Sequence, residues 1–239
     1  MKGIILAGGT GSRLYPLTKI INKHLLPVGP LPMICHGVEK LRQAGIEEVL
    51  LVIGAHSAGL YAKLLGSGEE WGVRITYKIQ EEAGGIAQAL GGARTFVQPG
   101  ERFVVLLGDN LFEDELSVHT AAYAAQEKGA RVLLKQVPDA RRYGVPVLKG
   151  ERIESIIEKP KKPPSSYCVT GIYMYDYSVF EIIDGLVPSG RGELEITDVN
   201  NVYAARGELG YAMLKGWWTD AGTLQSLHEA SARLMGGRS

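Results

Sequence analysis

A chain of 239 residues, 45% of them hydrophobic and 22% charged, can bury a sizeable core and has the make-up of a globular protein, which excludes a fibrous or disordered segment. Its 26 basic and 26 acidic residues balance, so no bulk field would gather nucleic acid or an anionic membrane, and any anion must be bound locally. No apolar run reaches the length of a membrane span, and the N-terminus lacks the order of a signal peptide. The expectation is a cytoplasmic protein with no nucleic-acid and no membrane partner.

Apolar, β-branched runs of strand length stand at Ile4-Ile5-Leu6, at 49–53 (VLLVI), 73–79 (VRITYKI) and 103–107 (FVVLL), with helix-length stretches between them. Segment 33–45 places Met33, Val38 and Leu41 at helical spacing and ends at Gly45, a C-cap signal; 57–65 and 86–97 read as two further helices. Runs that are continuously apolar predict strands buried on both faces. The alternation of strand and helix predicts an α/β fold, a Rossmann-like, mostly parallel sheet with helices on both faces. Beyond about residue 130 the strands come closer together, at 131–137, 144–150, 152–160 and 170–176, and predict an antiparallel or mixed addition to that sheet. The proline-rich 160–166 reads as a surface loop, and no shift of composition marks an independent domain. Segment 223–237 opens with a threonine cap candidate, runs helically and ends in glycines. Cys35 and Cys168 have no companion spacing for zinc or redox chemistry and are expected to be buried, inert thiols.

Chemistry is concentrated at the ends of these strands. Directly behind the first run stands LAGGTGSRLYP (6–16), a glycine-rich turn able to aim free backbone N–H groups at a phosphate, with Arg13 to bridge phosphate oxygens. It lacks the third glycine of the dinucleotide fingerprint, since Leu14 stands there, and the Gly-Lys-Ser/Thr of the P-loop, since Gly11-Ser12-Arg13 stands there. Glycine turns after strands are common, so the pattern gains weight only with a second cation nearby. Lys23, between the loop and the apolar Leu25-Leu26-Pro27, is that cation; a solvated surface lysine is its plainer reading. Gln80 offers donor and acceptor to a base edge, and Gly84-Gly85 let a flat ring lie on the backbone. Gly108-Asp109-Asn110 puts a carboxylate at the carboxyl end of a central strand, where open α/β sheets bind ligands, although aspartate is also a common strand-end residue. With Asp220 it would form a Mg²⁺ site if the two carboxylates converge on one triphosphate. Glu158-Lys159 could take a sugar hydroxyl pair and its phosphate, or form an exposed ion pair. For Glu193 and Glu195 a helix-cap role and a ligand contact stand equally open.

Taken in order, these segments resemble the sugar nucleotidylyltransferases, most closely the thymidylyl-transferring members, from Lys2 to about Leu227. The matches are the loop through Arg13, Lys23 with Leu25-Leu26-Pro27, Gly85 to Ala89, Gly108-Asp109-Asn110, Tyr143-Gly144-Val145, Glu158-Lys159-Pro160, Val169-Thr170-Gly171, Arg191 to Asp198, and Asp220. Any one is weak; the ordered set is specific. The resemblance implies a single nucleotidyltransferase domain over 1–239, its nucleotide-binding part about 1–130 and its sugar-binding part about 131–227. It implies that Leu6, Gly8, Gly9, Thr10, Gly11, Ser12 and Arg13 hold the nucleotide, with Gln80 and Gly85 receiving thymine or uracil, and that Asp109 and Asp220 hold Mg²⁺. Lys23, Asn110, Gly144, Glu158, Lys159 and Val169 would contact the sugar phosphate, and Arg13, Lys23 and Asp109 would carry the catalysis. The implied reaction joins dTTP, or alternatively UTP, to glucose 1-phosphate by direct displacement and releases pyrophosphate. A homo-oligomer, a tetramer, is implied as well. From another class, a non-catalytic nucleotide-sugar sensor could keep the same pocket. The chain departs from the family at His24, where the longer members carry glutamine, and at 28–33, which lacks their lysine before proline.

Overall fold

The structure, a computed structural model, describes residues 1–236. Along the first half run β1 (Lys2–Ala7), a small hairpin of β2 (Pro27–Val28) and β3 (Leu31–Pro32), α1 (Met33–Gln43), β4 (Glu48–Gly54), α2 (Ala58–Leu65), β5 (Arg74–Gln80), α3 (Ile86–Gly91) and β6 (Arg102–Leu107). The second half adds β7 (Asn110–Phe112), α4 (Leu116–Ala124), β8 (Ala130–Gln136), β9 (Gly144–Lys149), β10 (Arg152–Glu158), β11 (Tyr167–Asp176), α5 (Val179–Asp184), α6 (Ile196–Ala205), β12 (Leu209–Met213), β13 (Trp218–Asp220) and α7 (Leu224–Gly236). Seven strands form one sheet in the order β12-β8-β11-β6-β1-β4-β5. β1 lies parallel between β4 and β6, while β11 is antiparallel to both β6 and β8. The mixed half is therefore hydrogen-bonded to the parallel half along β6, as the closer strand spacing beyond residue 130 predicts.

Successive residues of β1 feed opposite faces: Ile4 and Leu6 enter one core, Ile5 and Ala7 the other. That is why the run is apolar without alternation. β5 departs from this expectation. It is one edge of the sheet, and Arg74, Thr76 and Lys78 are exposed while Ile75, Tyr77 and Ile79 are half-buried; the charges keep an open edge from pairing with another chain. The helix expected over 86–97 also stops early, at Gly91. Gly91-Gly92 are poor helix formers, and the chain continues in tighter turns, Ala93 N–H bonding Leu90 O at 2.9 Å and Phe96 N–H bonding Ala93 O at 2.9 Å. Gly45, at φ 73°, closes α1 as its sequence position predicts. Thr223 caps α7 by accepting from Ser226 N–H at 3.2 Å. Both cysteines are buried, and burial pushes each thiol up to about 12. Among the described residues no helix is long and apolar enough to cross a membrane.

Candidate active site

The site grows from the carboxyl ends of β1 and β6. Their register sets Leu6 beside Leu107, so the loop that leaves β1 and the Gly108-Asp109 turn that leaves β6 emerge side by side. Gly108 N–H donates to Leu6 O at 3.0 Å, and with its side chain in the core Leu6 is the floor of the loop. Gly11 has φ 70°, and a Cβ there would come 2.8 Å from Lys23 Cβ and 3.0 Å from Thr18 Cγ2. Only glycine lets the loop fold this tightly onto Lys23. The backbone N–H groups of residues 8–13 donate to no protein acceptor among the described residues, which leaves a row of donors open on the loop that carries the exposed Thr10, Ser12 and Arg13.

Lys23 lies across this loop. Its Nζ is 3.9 Å from where a Gly9 Cβ would stand and 2.5 Å from Asp109 Oδ2. The side chains of Lys23 and Asp109 are 14% and 13% exposed, so the pair is neither a solvated surface bridge nor sealed in the core. Burial by itself would raise the Asp109 carboxyl, but the Lys23 ammonium, foremost among the opposing groups, holds it well below the usual carboxylate range. His24 is packed under the pair: a Cβ on Gly108 would meet its Cδ2 at 2.8 Å. Its Nδ1 and Asn22 Oδ1 are 2.8 Å apart, and Tyr61 donates to the same Oδ1 at 2.9 Å. Burial, then the Lys23 charge, pushes His24 down to about 3, so it is neutral.

Asp220 arrives from the far end of the sequence. The short β7–β13 pairing sets it opposite Asn110, and Ala221 N–H bonds Asp109 O at 2.8 Å. Burial first, and then the neighbouring Asp109 carboxylate, push Asp220 upward against the pull of Arg142, Arg13 and Lys23. Gly222 keeps the space open: a Cβ there would stand 3.1 Å from Arg13 Nη2 and 3.7 Å from Asp109 Oδ2. Arg142, which the sequence reading passed over, pairs with Asp220 at 3.5 Å; its signal was the arginine directly before the matched Tyr143-Gly144-Val145. Asn110 is buried and its carbonyl oxygen is doubly hydrogen-bonded. Its Nδ2 donates to Asp109 at 3.0 Å, and its Oδ1 accepts from Gly171 N–H and Trp218 Nε1, each at 2.8 Å. Its amide thus orients Asp109.

A second group of residues gathers at the end of β10, beside Tyr143. Glu158 ends β10, where Gly144 pairs with it and a Cβ on Gly144 would stand 3.5 Å from its Oε2. Thr197 donates to that oxygen at 2.5 Å, while Lys159 and Arg191 approach Oε1 at 3.2 and 3.6 Å. Lys159, at φ 45°, is the one non-glycine in the left-handed region among the described residues, and its N–H is held by Tyr143 O at 3.0 Å. Val169 lies at the point where the β11–β8 register slips, next to Gly171 and its bond to Asn110. Glu193 and Glu195 do not cap α6 with their side chains; both carboxylates clasp Arg191, at 3.4 and 2.8 Å.

The two groups are joined by the turn after β5. Gly85, at φ 102°, is pressed so closely on Leu194 that a Cβ would stand 2.5 Å from its carbonyl oxygen. Gly84 O accepts from Leu194 N–H at 2.8 Å, and Leu194 O accepts from Ala87 N–H at 3.1 Å. Gln80 lies at the mouth of the glycine loop, where a Cβ on Gly8 would collide with its Oε1. Gln80 thus touches the glycine loop, while Gly84 and Gly85 touch residue 194, between the two glutamates that hold Arg191.

A mostly parallel sheet with an amide-lined loop, two cations and two carboxylates at its carboxyl edge is a nucleotidyl-transfer architecture, and the chain belongs to the nucleotidyl transferase family, whose signature spans residues 2–236. It is 46% identical over 234 residues to a glucose-1-phosphate thymidylyltransferase of Xanthomonas campestris pv. campestris, covering 96% of this chain and 79% of that one. A crystal structure from Bacillus anthracis in complex with sucrose, provisionally named a glucose-1-phosphate thymidylyltransferase, is 54% identical and superposes with a TM-score of 0.95 over 98% of this chain and 95% of its own. A UDP-glucose pyrophosphorylase complexed with UDP-glucose shares the fold at a TM-score of 0.87 and 27% identity, over 99% of both chains.

Proposed function

We propose that the chain transfers a thymidylyl group from dTTP to glucose 1-phosphate, giving dTDP-glucose and pyrophosphate. The observation that carries this reading is the convergence of Lys23, Asp109, Asp220 and Arg13 on the open amides of residues 8–13. The attacking sugar-phosphate oxygen is already anionic at neutral pH, so the reaction needs neither a protein nucleophile nor a strong base. Its obstacle is repulsion between two polyanions. In this reading the loop amides and Arg13 take the triphosphate, and Lys23 is shared between the phosphates of both substrates. Glu158, Lys159, Gly144 and Val169 receive the sugar phosphate and align its oxygen with the departing pyrophosphate. The nucleotide part, about residues 1–130, and the sugar part, about 131–227, would then meet across the cleft.

The carboxylate pair fits Mg²⁺. Asp109 and Asp220 are neighbouring oxygen donors, Asp220 raised first by burial and then by the Asp109 charge, and one or two carboxylates completed by phosphate oxygens and water suit this ion. Bound there, Mg²⁺ would neutralise charge on the phosphates. Asn110 and Lys23 hold Asp109 in place for it. We further propose that the chain assembles as a homo-tetramer; light scattering should give a mass near four chains.

The test is pyrophosphate release with glucose 1-phosphate and either dTTP or UTP at matched concentrations. The proposal expects faster turnover with dTTP; a large preference for UTP would move the assignment to uridylyl transfer. That second reading is favoured by the likeness to a UDP-glucose pyrophosphorylase. Binding of dTDP-glucose with no turnover in Mg²⁺ would instead make the chain a sensor.

A further inference from the structure

One side chain at the base end of the cleft has no part in the reaction just described. Gln88, half-buried in the first turn of α3, turns its Oε1 toward two donors at once, Gly84 N–H at 3.2 Å and Gln80 Nε2 at 2.7 Å. A backbone N–H can only donate, and that of Gly84, shared with Glu82 O at 3.0 Å, still demands the acceptor end of the Gln88 amide on the side that faces it. The acceptor fixed in this way then fixes Gln80. Its NH₂ must face Gln88, and its Oε1 lies on the opposite side, against Gly8 at the mouth of the loop. Two glycines make room for this arrangement. A Cβ on Gly84 would stand 2.8 Å from Gln88 Cδ, and one on Gly8 would strike Gln80 Oε1.

A glutamine left to itself is an ambiguous reader of base edges, because a half-turn of its amide exchanges donor for acceptor. Here the half-turn is blocked. We propose that Gln88 is a positioning residue that sets base specificity: by holding the Gln80 carbonyl oxygen toward the nucleotide, it selects bases with an N3–H, thymine and uracil, and rejects cytosine. Cytosine N3 carries no hydrogen, so against Oε1 it would set two acceptors face to face, with the donor requirement of neither met. This inference rests on the nucleotidyl-transfer reading of the same cleft and names how its base is chosen.

The experiment compares kcat/KM for UTP and CTP, with glucose 1-phosphate as acceptor, in the natural chain, Gln88→Met and Gln88→Glu. Methionine keeps the shape of glutamine without its oxygen; glutamate keeps the acceptor. The natural chain and Gln88→Glu should prefer UTP to a similar extent. Gln88→Met should lose about tenfold or more of that preference, chiefly through KM for the nucleotide, because a released Gln80 can turn to serve cytosine. A merely structural defect would slow both nucleotides together and leave their ratio unchanged. An unchanged UTP-to-CTP ratio in Gln88→Met, an equal loss in Gln88→Glu, or a natural chain that accepts CTP as well as UTP would each overturn the role of Gln88 while leaving nucleotidyl transfer standing. A natural chain that turns over neither these nucleotides nor dTTP would overturn both.

Discussion

At the scale of single residues, the site is organised by pairing each carboxylate with a cation. Lys23 holds Asp109 at 2.5 Å, and Arg142 approaches Asp220 at 3.5 Å. Removing the Asp109 side chain would strand a largely buried ammonium, which is costly by itself. The cleaner substitutions are therefore Asp109→Asn and Asp220→Asn. Each should keep the far-ultraviolet circular dichroism of the natural chain and abolish Mg²⁺-dependent pyrophosphate release. Activity that persists in either variant removes that residue from the metal pair. Arg13 has a different standing. It is exposed, with its guanidinium beside Gly222. Arg13→Ala should lower kcat by about a hundredfold or more, as expected for a lost charge stabiliser, with a melting temperature close to that of the natural chain.

At the scale of elements, the cleft depends on joints between segments distant in sequence. The turn between β5 and α3 is clamped to residue 194 by two backbone hydrogen bonds, and the clamp exists because Gly85 has no side chain. Gly85→Ala must both adopt φ 102° and push a methyl group into Leu194 O. Gly150, at φ 60° in the β9–β10 turn, has nothing within 4 Å of its Cβ position, so alanine there meets backbone strain only, about 1 kcal/mol. Urea unfolding should rank Gly85→Ala below Gly150→Ala, with only Gly85→Ala raising KM for the nucleotide. Equal stabilities would mean that the contact with residue 194 yields without cost. A comparable joint holds β10, whose Ile156 gives its N–H and C=O to the Asn201 side chain of α6 at 2.7 and 2.9 Å. That amide stands in for a missing strand partner and steadies Glu158, two residues on.

At the scale of the whole molecule, burial of His24 couples the site to stability. Its pKa is about 3 in the folded chain against an ordinary 6.5. Between those values the unfolded chain binds a proton that the folded chain does not. Stability therefore falls as pH drops below 6.5, by up to about 1.4 kcal/mol per pH unit from this group. Above pH of about 5 most unfolded carboxyl groups are still ionised, so the histidine contribution can be read there. His24→Gln should flatten the fall in urea midpoint between pH of about 7 and 5; an unaltered slope would show that His24 takes up its proton without unfolding.

The sequence by itself determined the long strands and the parallel-then-mixed sheet. Continuous apolar runs such as Ile4-Ile5-Leu6 are best satisfied between two layers. It did not disclose the edge position of β5, the early end of α3, or the short strands β12 and β13, because exposure and pairing at three to seven residues leave almost no periodic trace. Tertiary structure alone decided the partners: Asp220 beside Asp109, Arg142 on Asp220, Thr197 and Arg191 on Glu158, and Gln88 on Gln80. Those contacts join residues brought together by sheet register and helix packing, and side-chain reach across a fold is not written in local spacing.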